Sequence, residues 1–328
     1  MKIVEKNKLN ELMKAILDSG KVLIAPIRDG KTSRFEAITD PSKAALDLPI
    51  TKMSLKDQFL PPTECILIYE KKGDEIIVKD PEPLANERVI FGSRPCDAAA
   101  LAIMDKVFTW DYMDSLYLNK REKTAIVSIA CDSLQPSCHC EDVGLSPTSS
   151  TGSDVILISL DANRYWVEPI TDKGKKLVEL WGNKLTDAPD SEKKSIPEVK
   201  KPPQENLDKI FESPKWAELT MKCLGCGVCA YVCPTCHCFD IVDEDDKEGG
   251  GTRRRNWDVC ALSMFTKHGG GHNPRPEQWE RYRQRLMHKF DYYPEKFGCI
   301  ACVGCGRCVL ACPVNMDIFD ILEKVKSE

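Results

Sequence analysis

The sequence predicts an α+β chain of two domains: a mixed α/β domain over residues 1–182, a linker over 183–205, and a smaller α-helical domain over 206–328. Three observations carry this. Short apolar strands alternate with amphipathic helices as far as Trp181. The stretch that follows, NKLTDAPDSEKKSIPEVKKPPQE, is charged, proline-bearing and poor in apolar residues, as a linker or strap is. Beyond it the chain turns cysteine-rich, and apolar residues recur at helical spacing. A length of 328 residues suits two domains at roughly one per ~150.

In the first domain, Leu9, Leu12, Met13, Ile16 and Leu17 fall on one helical face, which predicts a helix over 7–18 that stops at Gly20. Val22–Ala25 and Ser33–Thr39 read as strands. Cys65–Tyr69 and Glu75–Val78 flank the hairpin turn Lys72-Gly73-Asp74, with Cys65 as a small buried hydrophobe. Val89–Phe91 is a buried strand that runs through Gly92-Ser93-Arg94-Pro95-Cys96-Asp97 into a helix over Ala98–Phe108. Asp97 is placed to cap that helix, and Cys96 stands where a helix N-terminus favours thiolate. Thr124–Ala130 is the next strand and ends in CDSLQPSCHC. Asp154–Leu160 and Arg164–Ile170 are strands around the turn at 161–163, and Asp172–Trp181 is a helix. In the second domain, helical pieces fall at Leu207–Phe211 and Ala217–Met221. A longer helix over Glu277–Phe290 puts Trp279, Tyr282, Leu286 and Phe290 on one face. A last helix follows Pro313, capped by Asn315 or Asp317, with Ile318, Ile321, Leu322 and Val325 at helical spacing.

Seventeen cysteines in a chain without a secretory signal read as metal ligands rather than a disulfide framework. Eight fall in a repeated pattern. Cys223, Cys226, Cys229 and Cys233 precede Pro234 as C-x2-C-x2-C-x3-C-P, and Cys302, Cys305, Cys308 and Cys312 precede Pro313 in the same order. In this run three thiolates wrap one [4Fe–4S] cube and the fourth reaches the other. The spacing therefore predicts two [4Fe–4S] clusters, the first on Cys223, Cys226, Cys229 and Cys312, the second on Cys233, Cys302, Cys305 and Cys308. Zinc also uses C-x2-C pairs, but has no use for the longer gap and the proline. The second domain is thus expected to be an α-helical ferredoxin-like fold, its helices around two clusters.

Cys96 and Cys131 both follow strand ends, so parallel strands would bring them out at one sheet edge. With Cys138 and Cys140 they make four, enough for a third [4Fe–4S] cluster. A zinc site or unliganded thiols are the alternatives, since C-x6-C-x-C is not a standard spacing. The first domain is accordingly an expected site of an extra cluster or a docking surface. Cys236, Cys238, Cys260 and Cys299 remain, as structural thiols near the clusters, a further metal site, or thiols with chemistry of their own. An echo links the two groups: residues 136–142 are PSCHCED and residues 234–240 are PTCHCFD. Arg253, Arg254, Arg255, Arg275, Arg281, Arg283 and Arg285 read either as a solvated basic face or as charge compensation for thiolates with docking of an acidic partner. His268, His272 and His288 are expected to be structural.

Several classes are excluded. There is no G-x-G-x-x-G and no G-x4-G-K-[ST], hence no expected nucleotide site. A net charge of −5 gives no footing for nucleic acid or a membrane surface. Apolar runs fall far short of the ~20 residues that span a bilayer, and MKIVEKNKLNELMK lacks a signal-peptide core. The expected location is cytoplasmic.

GSRPCDAAAL, CDSLQPSCHC, CLGCGVCAYVCPTCHCFD, NWDVC with GHNPRP and HKF, and CVGCGRCVLACPVNMDI together resemble one family. It is the iron–sulfur subunit family shared by anaerobic sulfite reductase and the sulfhydrogenases, in the latter (cytosolic nickel–iron hydrogenases) as the beta subunit. The resemblance runs from about residue 85 onward and is most specific in the C-terminal half. It implies clusters on the eight motif cysteines. It also implies anaerobic electron relay between two partners: a flavoprotein that handles NAD(P)H or bifurcates electrons, and a terminal reductase or hydrogenase subunit. Related subunits are also wired to heterodisulfide-reductase-like modules. With no substrate-activating constellation in the sequence, an electron-transfer subunit without a substrate site is the leading expectation. A cluster enzyme reducing a disulfide or sulfur species by itself is the alternative, and a zinc-stabilised scaffold the third.

Overall fold

Consecutive strand residues point to opposite faces, and Val89-Ile90-Phe91 is apolar on both, so it belongs where both faces are covered. In the computed structural model, which describes residues 1–198, 207–247 and 249–327, it lies inside an eight-stranded sheet. Residues 199–205 of the expected linker lie outside the described residues.

The chain begins with β1 (Lys2–Glu5), α1 (Leu9–Asp18), β2 (Val22–Asp29) and β3 (Thr32–Ala37). A hairpin of β4 (Thr63–Lys72) and β5 (Glu75–Lys79) follows, then β6 (Arg88–Ser93), α2 (Pro95–Phe108), α3 (Ser115–Glu122) and β7 (Thr124–Ile129). β8 (Val155–Ser159), β9 (Arg164–Pro169), α4 (Asp172–Trp181) and β10 (Thr186–Asp187) complete this part. The large sheet has the order β10-β1-β9-β8-β7-β6-β2-β3. Its middle strands β2, β6, β7 and β8 run parallel, and its flanks antiparallel. α1 and α4 bring Leu12, Met13, Ile16, Leu177 and Trp181 against Val89, Phe91 and Val127 on one face. α2 and α3 bring Leu101, Met104, Phe108 and Tyr117 against Ile90 and Ile126 on the other. Each such large side chain, wholly buried, contributes roughly 1.5–3 kcal/mol.

The C-terminal part contains α5 (Asp208–Phe211), α6 (Lys215–Leu219), α7 (Val228–Tyr231), β11 (Phe239–Asp245) and β12 (Gly251–Trp257). After these come α8 (Gln278–Met287), α9 (Tyr293–Phe297), α10 (Arg307–Leu310) and α11 (Ile318–Lys326). Trp216, Tyr282, Leu286, Phe290, Ile321 and Val325 share one core there, as the spacing of 277–290 and 318–325 predicts. Asp317, rather than Asn315, caps α11 by accepting from the Phe319 N–H.

The α+β reading with an all-helical, ferredoxin-like second half is corrected: the chain is α/β, with strands in both halves. β11 and β12 form a hairpin, and β12 pairs with β4 to give a second, antiparallel sheet of order β11-β12-β4-β5. The sequence hides this hairpin because its partners are charges rather than alternating apolar residues. Asp243 pairs with Arg253 at 2.7 Å and Glu244 with Arg254 at 2.8 Å across the ladder. The buried Arg255 reaches Glu64 on β4 at 2.8 Å and also Asp114 at the start of α3. Cys65, expected as a buried hydrophobe, is only half-buried on this open sheet. Asp97 does not cap α2: Arg94 is the cap residue, and the Asp97 carboxylate turns inward to Arg307.

Candidate cluster-binding site

Each C-x2-C-x2-C run forms a tight loop that ends in one helical turn, α7 or α10, which carries the third cysteine. Between the loops lie two neighbouring cavities. The first is lined by Cys223, Cys226, Cys229 and Cys312, the second by Cys233, Cys302 and Cys305, and Cys308 lines both. The fourth cysteine of each motif therefore lines a cavity with cysteines of the other motif.

The second loop is pressed against the first half of the chain. A Cβ on Gly304 would lie 2.1 Å from the His139 carbonyl, and one on Gly306 would lie 2.3 Å from the Ser137 oxygen. Both glycines have positive φ, so close approach and backbone hand together leave room for no other residue. The His139 N–H donates to the Gly304 carbonyl at 2.7 Å, which seals the contact. The two echoed loops meet here, since His139 and the Pro234-Thr235 turn line the same cavity.

Do these residues fit cubes? Backbone N–H groups aim at sulfur: Gly225 at Cys223 Sγ (3.5 Å), Gly304 at Cys302 Sγ (3.4 Å) and Met316 at Cys312 Sγ (3.3 Å). Among the described residues, no three His, Cys, Asp or Glu side chains converge as a single ion would need; the motif thiols instead stand around cavities. Two cations argue the same way. Arg285 on α8 and Lys289, in the π-turn His288–Tyr292 after it, are each 4% exposed. Among the described residues neither pairs with a carboxylate. Lys289 Nζ donates instead to Cys233 Sγ at 3.3 Å and to Thr235 and Ala301 oxygens at 2.8 Å. Burial opposes both charges, yet the surrounding thiol sulfurs more than offset it and hold both groups protonated. A hydrogen bond from Cys236, then Lys289 and Arg285, holds the Cys233 thiol well below its usual range. Buried cations without carboxylates belong beside thiolates, so the residues fit thiolate-ligated clusters.

The other thiols fall into two groups. β6 and β7 are parallel neighbours, so Cys96 and Cys131 emerge at one sheet edge as expected. Cys96 feels Cys131, Cys131 feels Cys138, and Cys140 feels both Cys138 and Cys131, so the four are linked as neighbours in series. Burial pushes Cys96 and Cys131 up, and Cys140 up to about 11. This group adjoins the second cavity, with the Arg307–Asp97 pair (2.9 Å, each side chain 1% exposed) next to both Cys96 and Cys305. Cys238 and Cys260 are hydrogen-bonding neighbours, a contact that brings Cys260 down to about 7. Cys299 stands beside Tyr293 and lines neither cavity.

The expected arginine cluster splits. Arg253 and Arg254 are the solvated, paired face, whereas Arg255, Arg281, Arg283 and Arg285 are buried. Lys289 and Arg307 went unnoticed in the sequence. The spacing of Arg281, Arg285 and Lys289, each four apart along α8 and the turn after it, was the available signal.

Loops, thiols and cations define a dicluster iron–sulfur protein. Residues 222–316 match the family described as 4Fe-4S dicluster domain, and the chain carries its two [4Fe–4S] clusters there. Over 96% of its length the chain is 30% identical to sulfhydrogenase 2 subunit beta of Pyrococcus furiosus, covering 95% of that protein. The chain belongs to the sulfhydrogenase beta-subunit family. No solved structure matches it. Among the described residues no helix is long and apolar enough to cross a membrane.

Proposed function

We propose that this chain is the iron–sulfur electron-transfer subunit of a hydrogenase-type complex. It would relay single electrons between a flavoprotein that handles NAD(P)H and a terminal catalytic subunit. Cys223, Cys226, Cys229 and Cys312 hold one cube, and Cys233, Cys302, Cys305 and Cys308 the other. The observation that carries this reading is the pair of adjoining cavities, each with cysteines from both motifs on its wall. When bound, a [4Fe–4S] cube supplies one-electron storage. The chain's own residues aim N–H groups at sulfur and place the buried Lys289 and Arg285 against the thiols. The relative's name favours a hydrogenase as terminal partner over a sulfite reductase or a heterodisulfide-reductase-like protein.

Cys96, Cys131, Cys138 and Cys140 are proposed to hold a third cube, supported by their grouping beside the second cavity. Iron analysis separates the cases, at about eight irons per chain for two cubes and about twelve for three. Native anaerobic purification tests the relay: a flavoprotein and a hydrogenase subunit should co-purify. A brown chain that comes alone and accepts no electrons from a flavoprotein overturns it. A second reading, thiol chemistry at Cys238 and Cys260, rests on their mutual hydrogen bond. Full protection of both thiols from alkylation in the folded protein removes it.

A further inference from the structure

Three of the buried cations beside the cavities differ in what they face. Arg307 is matched by Asp97, so the pair carries no net charge. Lys289 touches Cys233 and lines the second cavity alone. Arg285 lines both cavities. Its Nη2 donates to the Cys229 carbonyl at 3.3 Å, and its Nε–H, buried, has no partner among the described residues. The thiols it feels most come from both sides: Cys229, Cys308, Cys236 and Cys233.

We propose that Arg285 is a charge bridge shared by the two cluster cavities, one guanidinium that stabilises the reduced state on both sides and so raises both midpoint potentials together. The physics is Coulombic. Each reduction adds one electron with no bond change, and a fixed cation nearby favours the extra negative charge most strongly where water is excluded. A cation between two sites shifts both in the same direction, so it moves their common level more than the step between them. Lys289, on one side only, sets the step. The unpartnered Nε–H gives Arg285 a donor to spare for sulfur on either wall. This assignment rests on the relay reading, and it predicts a division of labour that the relay reading alone does not.

The test is an EPR-monitored redox titration of the full chain, reconstituted with iron and sulfide and reduced with dithionite. Arg285→Gln should lower both potentials, each by about 59 mV if the reduction equilibrium falls tenfold. Lys289→Gln should lower only one, which identifies the second cavity. The proposal is overturned if Arg285→Gln moves one potential or neither. If that variant fails to hold about eight irons, Arg285→Lys decides. Lysine keeps the charge between the cavities without the planar fork, so both potentials should move together, by less than the ~59 mV of a tenfold change. A shift in one potential alone overturns the assignment. Electron acceptance from a flavoprotein is measured separately: shifted potentials without acceptance would sink the relay and leave Arg285's role standing.

Discussion

Cys226 of the first motif is exposed, while its counterpart Cys305 in the second is 9% exposed beneath residues 137–140. Leu224 is 66% exposed and its counterpart Val303 only 2%. Val228 in the first loop is replaced by the buried Arg307 in the second. Two near-copies of one motif are thus given opposite settings by distant parts of the chain. The first cavity has the exposed Cys226 and Leu224 on its wall and is the outer of the two; the second, the inner, has residues 137–140 packed onto its loop and the Cys96 group next to it. Spacing decides which cofactor is held; the packing of the first half onto the second loop decides which site faces outward.

The sharpest way to break this comparison is to delete a ligand on each side. Cys226→Ala and Cys305→Ala should each cost about four of about eight irons per chain. Only the second should also lower the denaturant midpoint of the metal-free chain, because it leaves a cavity in a packed wall. Full iron content in either variant would remove that cysteine from the ligand set.

Next in size is Asp97→Ala, which strands Arg307 as an uncompensated buried charge behind the inner cavity alone. A loss of about 3–5 kcal/mol is expected in chemical denaturation. The glycines sharpen the contrast further. Gly304→Ala drives a Cβ into the His139 backbone and should cost about 3 kcal/mol. At the equivalent Gly225 the nearest atom is Gln278 Cγ at 3.6 Å, so an alanine adds only the left-handed backbone penalty of about 1–2 kcal/mol. Equal losses at the two positions would show that the inner loop is not clamped.

The smallest effect is acid sensitivity. Burial holds His237 and His288 down to about 4, and their rings meet edge to face, 5.5 Å apart, behind the inner cavity. A folded value below the unfolded ~6.5 means the unfolded chain binds more protons in between. Their contribution is therefore complete above pH ~6.5 and is lost as pH falls toward 4. Both rings are only partly buried, so the slope should be a fraction of the ~1.4 kcal/mol per pH unit that one full proton gives. A Tm–pH profile flatter over this window in His288→Gln than in wild type is the expected readout.

The parallel strands were legible because their residues are apolar on both faces, and α1 and α4 because their stripes keep a helical period. β11 and β12 were not, since FDIVDED and TRRRNW look like solvated charge until each is laid against the other. α3 escaped because Tyr117 is its one wholly buried side chain. At the site, cysteine spacing marks candidate ligands, and the structure stands them around two cavities. Nothing local marks an arginine as buried. Arg285 and Arg307 take their meaning from cavities assembled by segments far apart in sequence.

Cys312 lines the cavity that Cys223 opens, and Glu64 waits for Arg255 across 191 positions of sequence. During synthesis the first cysteine loop leaves the ribosome well before its wall exists, and the β4–β5 hairpin stands with an open edge until β12 arrives. Iron delivered early would meet three thiols on a slack loop. On the proposed ligand set, filling the first cavity has to follow the emergence of residue 312, and a product ending just short of that point would leave this cavity one thiol short while the second already has its four.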